Sequence, residues 1–160
     1  MTASATSDDE RRSTGPAVAK SYIATHPIRF SHVDPAGIVF YPRYFELIDA
    51  VVEDWSRAVL GVDRRTMHSD MLLGLPVSEM RVKFQQPSRL GDLLTFNLSV
   101  MEVGRASVHV SIAVSCGGQR RLTAEMTLVL MSLATMRGCA WPDPWRATLL
   151  AVSASSGTEE

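Results

Sequence analysis

Residues 34–49 read DPAGIVFYPRYFELID, a polar turn that runs directly into an amphipathic segment. A residue that precedes proline is pushed towards an extended backbone, so Asp34 is expected at the end of a strand. Gly37 permits a backbone angle that other residues avoid. Pro42 fits the first position of a helix, where a missing amide hydrogen costs nothing. The stretch therefore predicts a strand end, a turn and a helix start in succession.

The helix that begins at Pro42 is predicted to continue to about Leu60. Apolar residues recur there at steps of three and four, and charged residues occupy the opposite side. The apolar set is Phe45, Ile48, Val52, Trp55 and Val59, and the charged set is Glu46, Glu53 and Arg57. Gly61 fits the position that follows the last turn. One face of the helix is thus expected to be buried and the other to face water.

Strand patterns lie on both sides of this helix. Tyr22 to Phe30 is rich in β-branched and aromatic residues and predicts a first strand that ends near Ser31. After the helix and a short Met-rich segment, apolar and polar residues alternate in a way that predicts four more strands in an antiparallel meander. These strands centre on residues 79–84, 96–100, 108–114 and 122–130.

One amphipathic helix and one sheet with a single apolar face bury each other. The pattern therefore predicts an α+β protein of the hotdog type, an antiparallel sheet of about five strands wrapped around one long helix. A single layer of this kind leaves a sheet edge open, and pairing with a second copy covers it. We expect a homodimer or a dimer-of-dimers homotetramer.

Composition and charge limit the classes of protein that the chain can belong to. Its 160 residues, 46% hydrophobic and 21% charged, suit one globular domain, predicted at residues 21–150 between a disordered tail at 1–20 and a flexible tail at 151–160. The 16 Lys and Arg nearly balance the 17 Asp and Glu, which argues against nucleic-acid or membrane partners. Neither a secretory signal nor an apolar run of ~20 residues is present, which predicts a cytoplasmic protein.

The stretch from Asp34 to Asp49 resembles the active-site segment of the 4-hydroxybenzoyl-CoA thioesterase family. In that family an Asp is commonly followed by Pro, a small residue and Gly, then by a short apolar run, a Tyr and a helix. The resemblance extends more weakly over about Tyr22 to Met136, including the region LGLPVSEMRVKFQQPSRLGDLL. It implies a hotdog fold and hydrolysis of an acyl-CoA thioester, with coenzyme A as part of the substrate and no separate cofactor.

Thioester hydrolysis needs a nucleophile or base on one side of the carbonyl carbon and hydrogen-bond donors for the oxygen that gains charge. Asp34 is predicted to attack the carbonyl or to deprotonate a water, and the resemblance favours direct attack. Tyr41 is predicted to donate its backbone amide, since Pro42 has none and the helix start directs its positive end beside Asp34. No metal is required, and Cys116 and Cys139 show no zinc-site spacing.

The substrate is expected to contact further residues. Gly37, Phe40 and Pro42 lie in the segment that resembles the family's active site. Asp49 matches a carboxylate that faces the acyl pocket in the hydroxybenzoyl subtype, where it accepts a hydrogen bond from a ring hydroxyl; the alternative is a solvated helix carboxylate. Arg105 matches a basic position of the family's nucleotide-binding hairpin and would hold coenzyme A phosphates; the alternative is an ordinary surface arginine. Further candidate cations are Arg120, Arg121 and Arg137.

Two other features each have more than one interpretation. His32 lies two residues before Asp34, and it either tunes that carboxylate or packs at the strand end. Residues 141–145 form an apolar, proline-stiffened stretch that covers the acyl pocket, the sheet or a seam between subunits.

The sequence thus predicts an acyl-CoA thioesterase that hydrolyses a small, hydroxybenzoyl-like aromatic acyl-CoA to the free acid and coenzyme A. A thioesterase for short- or medium-chain aliphatic acyl-CoA or acyl-carrier protein is an alternative that differs in pocket shape and polarity. A non-catalytic acyl-CoA-binding hotdog module would lack the carboxylate or the helix-start geometry. A hotdog dehydratase would pair a histidine with the acid, and the motif expected for that pairing is absent.

Overall fold

A computed structural model describes residues 21–154 of the chain. The strands are β1 (Tyr22–Pro27), β2 (Leu73–Gly74), β3 (Val77–Phe84), β4 (Leu93–Val103), β5 (Ser107–Cys116), β6 (Gln119–Val129), β7 (Met131–Ser132) and β8 (Arg137–Gly138). The helices are α1 (Pro42–Leu60), α2 (Arg64–Ser69) and α3 (Asp143–Ala154), with a 3-10 turn at Phe30–His32. The tail predicted at 1–20 and the last residues of the other tail, 155–160, lie outside the described residues.

The five longer strands form one antiparallel sheet in the order β1-β4-β5-β6-β3, as an antiparallel sheet of about five strands was predicted. The predicted meander is wrong for its first strand, because β3 pairs with β6 and not with β4. Strands β4, β5 and β6 do follow one another as a meander. Alternation of apolar and polar residues shows which face of a strand is buried, but it does not show which strand lies beside it. Because β3 pairs only with β6 in this sheet, it forms one of the two edges.

Helix α1 buries one face in the core that the sheet also lines. It runs from Pro42 to Leu60 as predicted, and Gly61 ends it in the left-handed conformation with φ +71°. Its buried residues are Tyr44, Leu47, Ile48, Val51, Val52, Trp55, Ser56 and Leu60. Phe45 and Val59, which were predicted in the buried stripe, are only partly buried. The buried stripe is therefore shifted around the helix from the predicted one. Phe45 lies at the border of this stripe, where the ring of Phe45 contacts the ring of Tyr41.

The C-terminal segment contains a helix that the sequence analysis did not predict. Helix α3 contacts β4 and α1, and Leu149 and Val152 are buried in the common core. It continues to Ala154, beyond the predicted end of the domain at residue 150. Trp141, just before it, is buried and donates its indole N–H to the Ser107 carbonyl over 3.1 Å. Within residues 21–154, no helix combines the length and apolarity that a bilayer crossing needs.

Candidate active site

A tight turn holds the Asp34 side chain just before α1. Asp34 Oδ1 accepts a hydrogen bond from the Ala36 amide at 2.8 Å, and the Asp34 carbonyl accepts one from the Gly37 amide at 2.9 Å. The Asp34 amide donates to the Ile38 carbonyl at 2.9 Å. Gly37 closes the turn with φ +76°, a left-handed angle that glycine adopts at little cost. Asp34 is half-buried, and its Oδ2 has no hydrogen-bond partner within residues 21–154, so this oxygen is available to a ligand.

The helix start lies seven residues further along. Tyr41 is the N-cap, with φ −53° and ψ −32°, and Pro42 is the first helical residue. Among the hydrogen bonds of residues 21–154, none uses the Tyr41 amide. An unpaired N–H at a helix N-terminus attracts negative charge through both its own dipole and that of the helix. The predicted donor is therefore free to bind an oxygen that becomes negatively charged.

Three aromatic rings are grouped at the start of α1. Phe40 is 50% exposed and Tyr41 is 60% exposed. Their ring centroids are 5.7 Å apart in an edge-on arrangement, and the Tyr41 and Phe45 centroids are 6.4 Å apart. Large apolar side chains grouped on a surface commonly mark a binding site. The apolar surface here adjoins the turn that carries Asp34.

A cleft of about 260 Å³ opens beside the start of α1. It is lined by Ile38, Val39, Tyr41, Tyr44, Phe84, Gln85, Gln86 and Pro87. Of the predicted site residues, Tyr41 lines the cleft. Asp34 does not line it but is hydrogen-bonded to Ile38, which does. The residues of the predicted site that lie outside the lining are Asp34, Gly37, Phe40, Pro42, Asp49 and Arg105.

The sequence analysis missed most of this cleft, since only Tyr41 of its eight lining residues was proposed as a site residue. Tyr44, Phe84 and the loop at residues 85–87 were not proposed as site residues, although the loop lies within the region of weaker family resemblance. A buried aromatic residue in the first helical turn indicates packing and carries no signal of its own for a cleft wall. Only the fold brings the end of β3 next to the start of α1.

Asp49 lies on the exposed side of α1 and has no hydrogen-bond or ion-pair partner within residues 21–154. The nearby Arg57 pairs with Asp54 at 3.2 Å. Within one copy of the chain, Asp49 is therefore a solvated carboxylate that does not reach the cleft.

Arg105 lies far from Asp34 in the same chain. The Asp34 turn is bound to residues 85–92, which precede β4: Leu90 N–H donates to Gly37 O at 3.4 Å, and Val39 N–H donates to Ser88 O at 2.9 Å. Arg105 follows the opposite end of β4. That strand has 11 residues, which at ~3.3 Å per residue separates its ends by about 33 Å. The structure therefore does not bring Arg105 into the site of its own chain.

The other predicted cations and histidines are used locally or are exposed. Arg121 is bound to the loop before β4, whereas Arg120 is exposed at the same end of the sheet as Asp34. His32 accepts a hydrogen bond at Nδ1 from the Arg29 amide over 2.9 Å, so this nitrogen stabilises the 3-10 turn. Among the described residues, no three His, Cys, Asp or Glu side chains are grouped as metal ligands would be.

Comparisons with known proteins bear on the family. A family model described as the Thioesterase superfamily matches residues 36–123. Over 123 residues the chain is 26% identical to the 1,4-dihydroxy-2-naphthoyl-CoA hydrolase of Thermosynechococcus vestitus, a match that covers 76% of this chain and 84% of that protein. Over 91 residues it is 29% identical to the 4-hydroxybenzoyl-CoA thioesterase of Pseudomonas sp. strain CBS-3, covering 56% of this chain and 64% of that protein.

A solved structure bears on the fold. The protein SAV2348 from Staphylococcus aureus, whose structure was determined in complex with CoA, matches with a TM-score of 0.80 at 16% identity, over 88% of each chain. At this level of identity the likeness concerns the fold alone. Together with the family match, it confirms the predicted hotdog architecture.

Proposed function

Because the chain belongs to the thioesterase superfamily and is thus a thioester hydrolase of the acyl-CoA thioesterase family, we propose that it hydrolyses a small aromatic acyl-CoA to the free acid and coenzyme A. Two relatives are named for hydroxylated aromatic acyl groups. The cleft beside Tyr41 supports a small acyl group, since its volume of about 260 Å³ is below the ~300–1,000 Å³ of clefts that bind drug-sized ligands. Its aromatic walls suit a planar ring.

The free amide of Tyr41 at the wall of the cleft is the observation that carries this proposal. The thioester carbonyl oxygen accepts a hydrogen bond from this amide, which stabilises the negative charge that develops on the oxygen during attack. Removing one donor of this kind typically costs ~3 kcal/mol of transition-state stabilisation. Phe40 and Pro42 flank this amide in the chain and are the proposed contacts of the bound thioester.

Asp34 acts on the other side of the carbonyl carbon. The Ala36 amide holds Oδ1, which leaves Oδ2 to attack. Attack forms a mixed anhydride between Asp34 and the acyl group, and the C–S bond breaks to release coenzyme A as a thiolate that takes up a proton. Water then hydrolyses the anhydride and restores the carboxylate. Gly37 serves this step by keeping the turn closed.

The functional unit is a homodimer that pairs through its two β3 edges. Strand β3 pairs with β6 on one side only, and its exposed residues include Val77 and Phe84, which are 44% and 50% exposed. Unpaired strand edges with exposed apolar residues promote association with another chain. Two-fold pairing of identical antiparallel edges joins the two sheets into one, and a dimer of such dimers gives the predicted tetramer.

This pairing gives Arg105 a role at the site of the other copy, since the length of β4, about 33 Å, separates it from the site of its own chain. Two identical strands that pair antiparallel run in opposite directions. The β4–β5 turn of one copy therefore lies at the same end of the joined sheet as the Asp34 turn of the other copy. Arg105 of one copy and Arg120 of the other are then the cations for the phosphates of coenzyme A. Asp49 remains the candidate partner for a ring hydroxyl, and in this dimer it too would act at the site of the other copy.

A thiol-release assay tests the proposal with the CoA thioesters of benzoate, 4-hydroxybenzoate, phenylacetate and short or medium fatty acids, and with a hydroxybenzoyl carrier protein. We expect the hydroxybenzoyl thioester of CoA to react fastest. Asp34→Asn retains the Ala36 hydrogen bond but removes the nucleophilic carboxylate, so kcat should fall by about 10⁴ or more with binding retained. Asp70→Asn, an exposed aspartate outside the site, is the matched control.

Three results would contradict parts of this proposal. Retained turnover in Asp34→Asn would remove Asp34 from its role. Fastest release from an aliphatic or carrier-protein thioester would overturn the aromatic acyl-CoA assignment. Absence of release from every thioester would favour an acyl-CoA-binding module.

A further inference from the structure

We infer that Tyr44 and Ser88 are positioning residues, whose buried hydroxyl pair holds the Tyr41 amide in place beside the cleft. Tyr44 O–H donates to Ser88 Oγ over 2.8 Å, and Tyr44 and Ser88 are 4% and 0% exposed. The catalytic meaning of this inference rests on the proposed function. Its structural content, the restraint on residues 39–44, does not.

Ser88 contacts the chain on both sides of Tyr41. Its side chain binds Tyr44, the third residue of α1, and its carbonyl oxygen accepts a hydrogen bond from the Val39 amide at 2.9 Å. Val39 precedes Tyr41 by two residues, and Tyr44 follows it by three. A single buried residue therefore restrains the segment that enters the helix and the first turn of the helix itself.

The loop that carries Ser88 is itself bound to the sheet. Arg121, in β6, accepts hydrogen bonds at its carbonyl from the amides of Gln85 and Gln86 at 2.9 and 3.1 Å. Its Nη1 donates to the Pro87 carbonyl at 3.0 Å, and its Nη2 lies 3.6 Å from Asp92 Oδ2. The two side chains are only 14% and 24% exposed, so this ion pair is largely shielded from water. These contacts fix the position of the Ser88 loop relative to the sheet.

The ring and the hydroxyl of Tyr44 have separable roles. Tyr44 lines the cleft, and its ring centroid lies 5.8 Å from that of Phe84. Its hydroxyl donates to the buried Ser88, which does not line the cleft. Tyr44→Phe therefore preserves the wall of the cleft and removes the link to the loop. Displacement of a catalytic group by about 1 Å can reduce a rate by ~10²-fold, so a lost restraint is expected to act on kcat.

The experiment compares Tyr44→Phe, Ser88→Ala and the double variant with Ser56→Ala. Ser56 is a matched control, since it is also 0% exposed on α1 and donates a hydrogen bond, to the Glu53 carbonyl at 2.9 Å, but lies away from the cleft. Tyr44→Phe and Ser88→Ala should each lower kcat by about 10- to 100-fold with KM within about twofold. The double variant should be no slower than the worse single variant, because both remove the same link. Ser56→Ala should keep kcat.

Amide hydrogen exchange of residues 39–44 is measured in parallel, because it reports the restraint without any substrate. Tyr44→Phe should speed exchange there, and Ser56→Ala should not. Unchanged exchange in Tyr44→Phe overturns the inference, whether or not the wild type is active. Faster exchange with unchanged kcat overturns the positioning role, and a wild type that cleaves no thioester refutes the proposed function alone.

Discussion

Gly37→Ala tests whether the turn that carries Asp34 depends on backbone conformation alone. Gly37 has φ +76°, and a Cβ added there would have no neighbouring atom within 4 Å. The substitution therefore introduces no clash, and its cost is that of a left-handed angle in a residue with a Cβ. That cost is about 1–2 kcal/mol. A fold of this size should lose roughly 3–5 °C in Tm for each 1 kcal/mol.

Gly61→Ala is the matched comparison. Gly61 has φ +71° and also has open space around a Cβ. It follows the last turn of the 19-residue α1, so it lies about 30 Å along the helix from Tyr41 at 1.5 Å per residue. Both alanine variants should lose similar stability. Only Gly37→Ala should lose kcat, because relief of its strain rotates the amide that donates to Asp34 and the carbonyl that accepts from Leu90.

Urea unfolding gives the stability of each variant, and thiol release from the hydroxybenzoyl thioester gives its kcat. Asparagine tolerates left-handed angles better than alanine, so Gly37→Asn should recover part of both quantities. Two results would refute the reasoning: wild-type stability in Gly37→Ala, or a loss of kcat in Gly61→Ala as large as that in Gly37→Ala. The second would mean that lost stability alone explains lost turnover.

Two further predictions concern pH and assembly. Asp63 accepts hydrogen bonds from the Thr66 amide at 2.8 Å and the Thr66 hydroxyl at 3.1 Å, which lower the pKa of its carboxyl below the ordinary 3.8. Its charge therefore stabilises the fold above pH 3.8, and this contribution is lost as the pH falls through the lowered pKa. Urea titrations of the wild type and Asp63→Asn should therefore show a difference in unfolding free energy that shrinks as the pH is lowered. Light scattering at micromolar concentration should give twice 17.5 kDa or a multiple of it for the wild type, and Val77→Lys at the β3 edge should shift the mass towards one chain. A Val77→Lys dimer as tight as the wild type would exclude that edge as the interface.

Local signals in the sequence predicted the part of the fold that local interactions determine. Pro42 and Gly61 mark the two ends of α1 through backbone chemistry that needs no tertiary contact. The Asp34 turn is similar, since the three hydrogen bonds that close it on Asp34 join residues at most four apart, and the bond from Leu90 to Gly37 only attaches the closed turn to the next loop. The turn at Asp34 and the helix start at Tyr41 were therefore predicted correctly, and the catalytic roles of the two residues stay predictions.

Features that depend on contacts distant in sequence were not predicted. The position of β3 at the sheet edge depends on its pairing with β6, about 45 residues later, and alternation carries no information about that partner. The sequence of helix α3 predicts a stiff stretch followed by a tail, because Pro142 and Pro144 lie at its start and small residues are common towards its end. Its burial of Leu149 against the core outweighs those weak local preferences.

The Tyr44–Ser88 pair shows why the catalytic segment cannot be understood from its own residues. The two hydroxyls are 44 positions apart, and each is unremarkable in the sequence: one aromatic on a buried stripe and one serine in a polar loop. Burial gives this hydrogen bond its energetic importance, because a buried hydroxyl has no water to bind and loses free energy unless it has a partner inside the protein. The same loop delivers Ser88 to the helix start and Gln85 to Pro87 to the cleft wall. Under the proposed function, this loop supports both the Tyr41 amide and the wall of the acyl cleft, so we expect changes in the loop to alter turnover and acyl-group preference together.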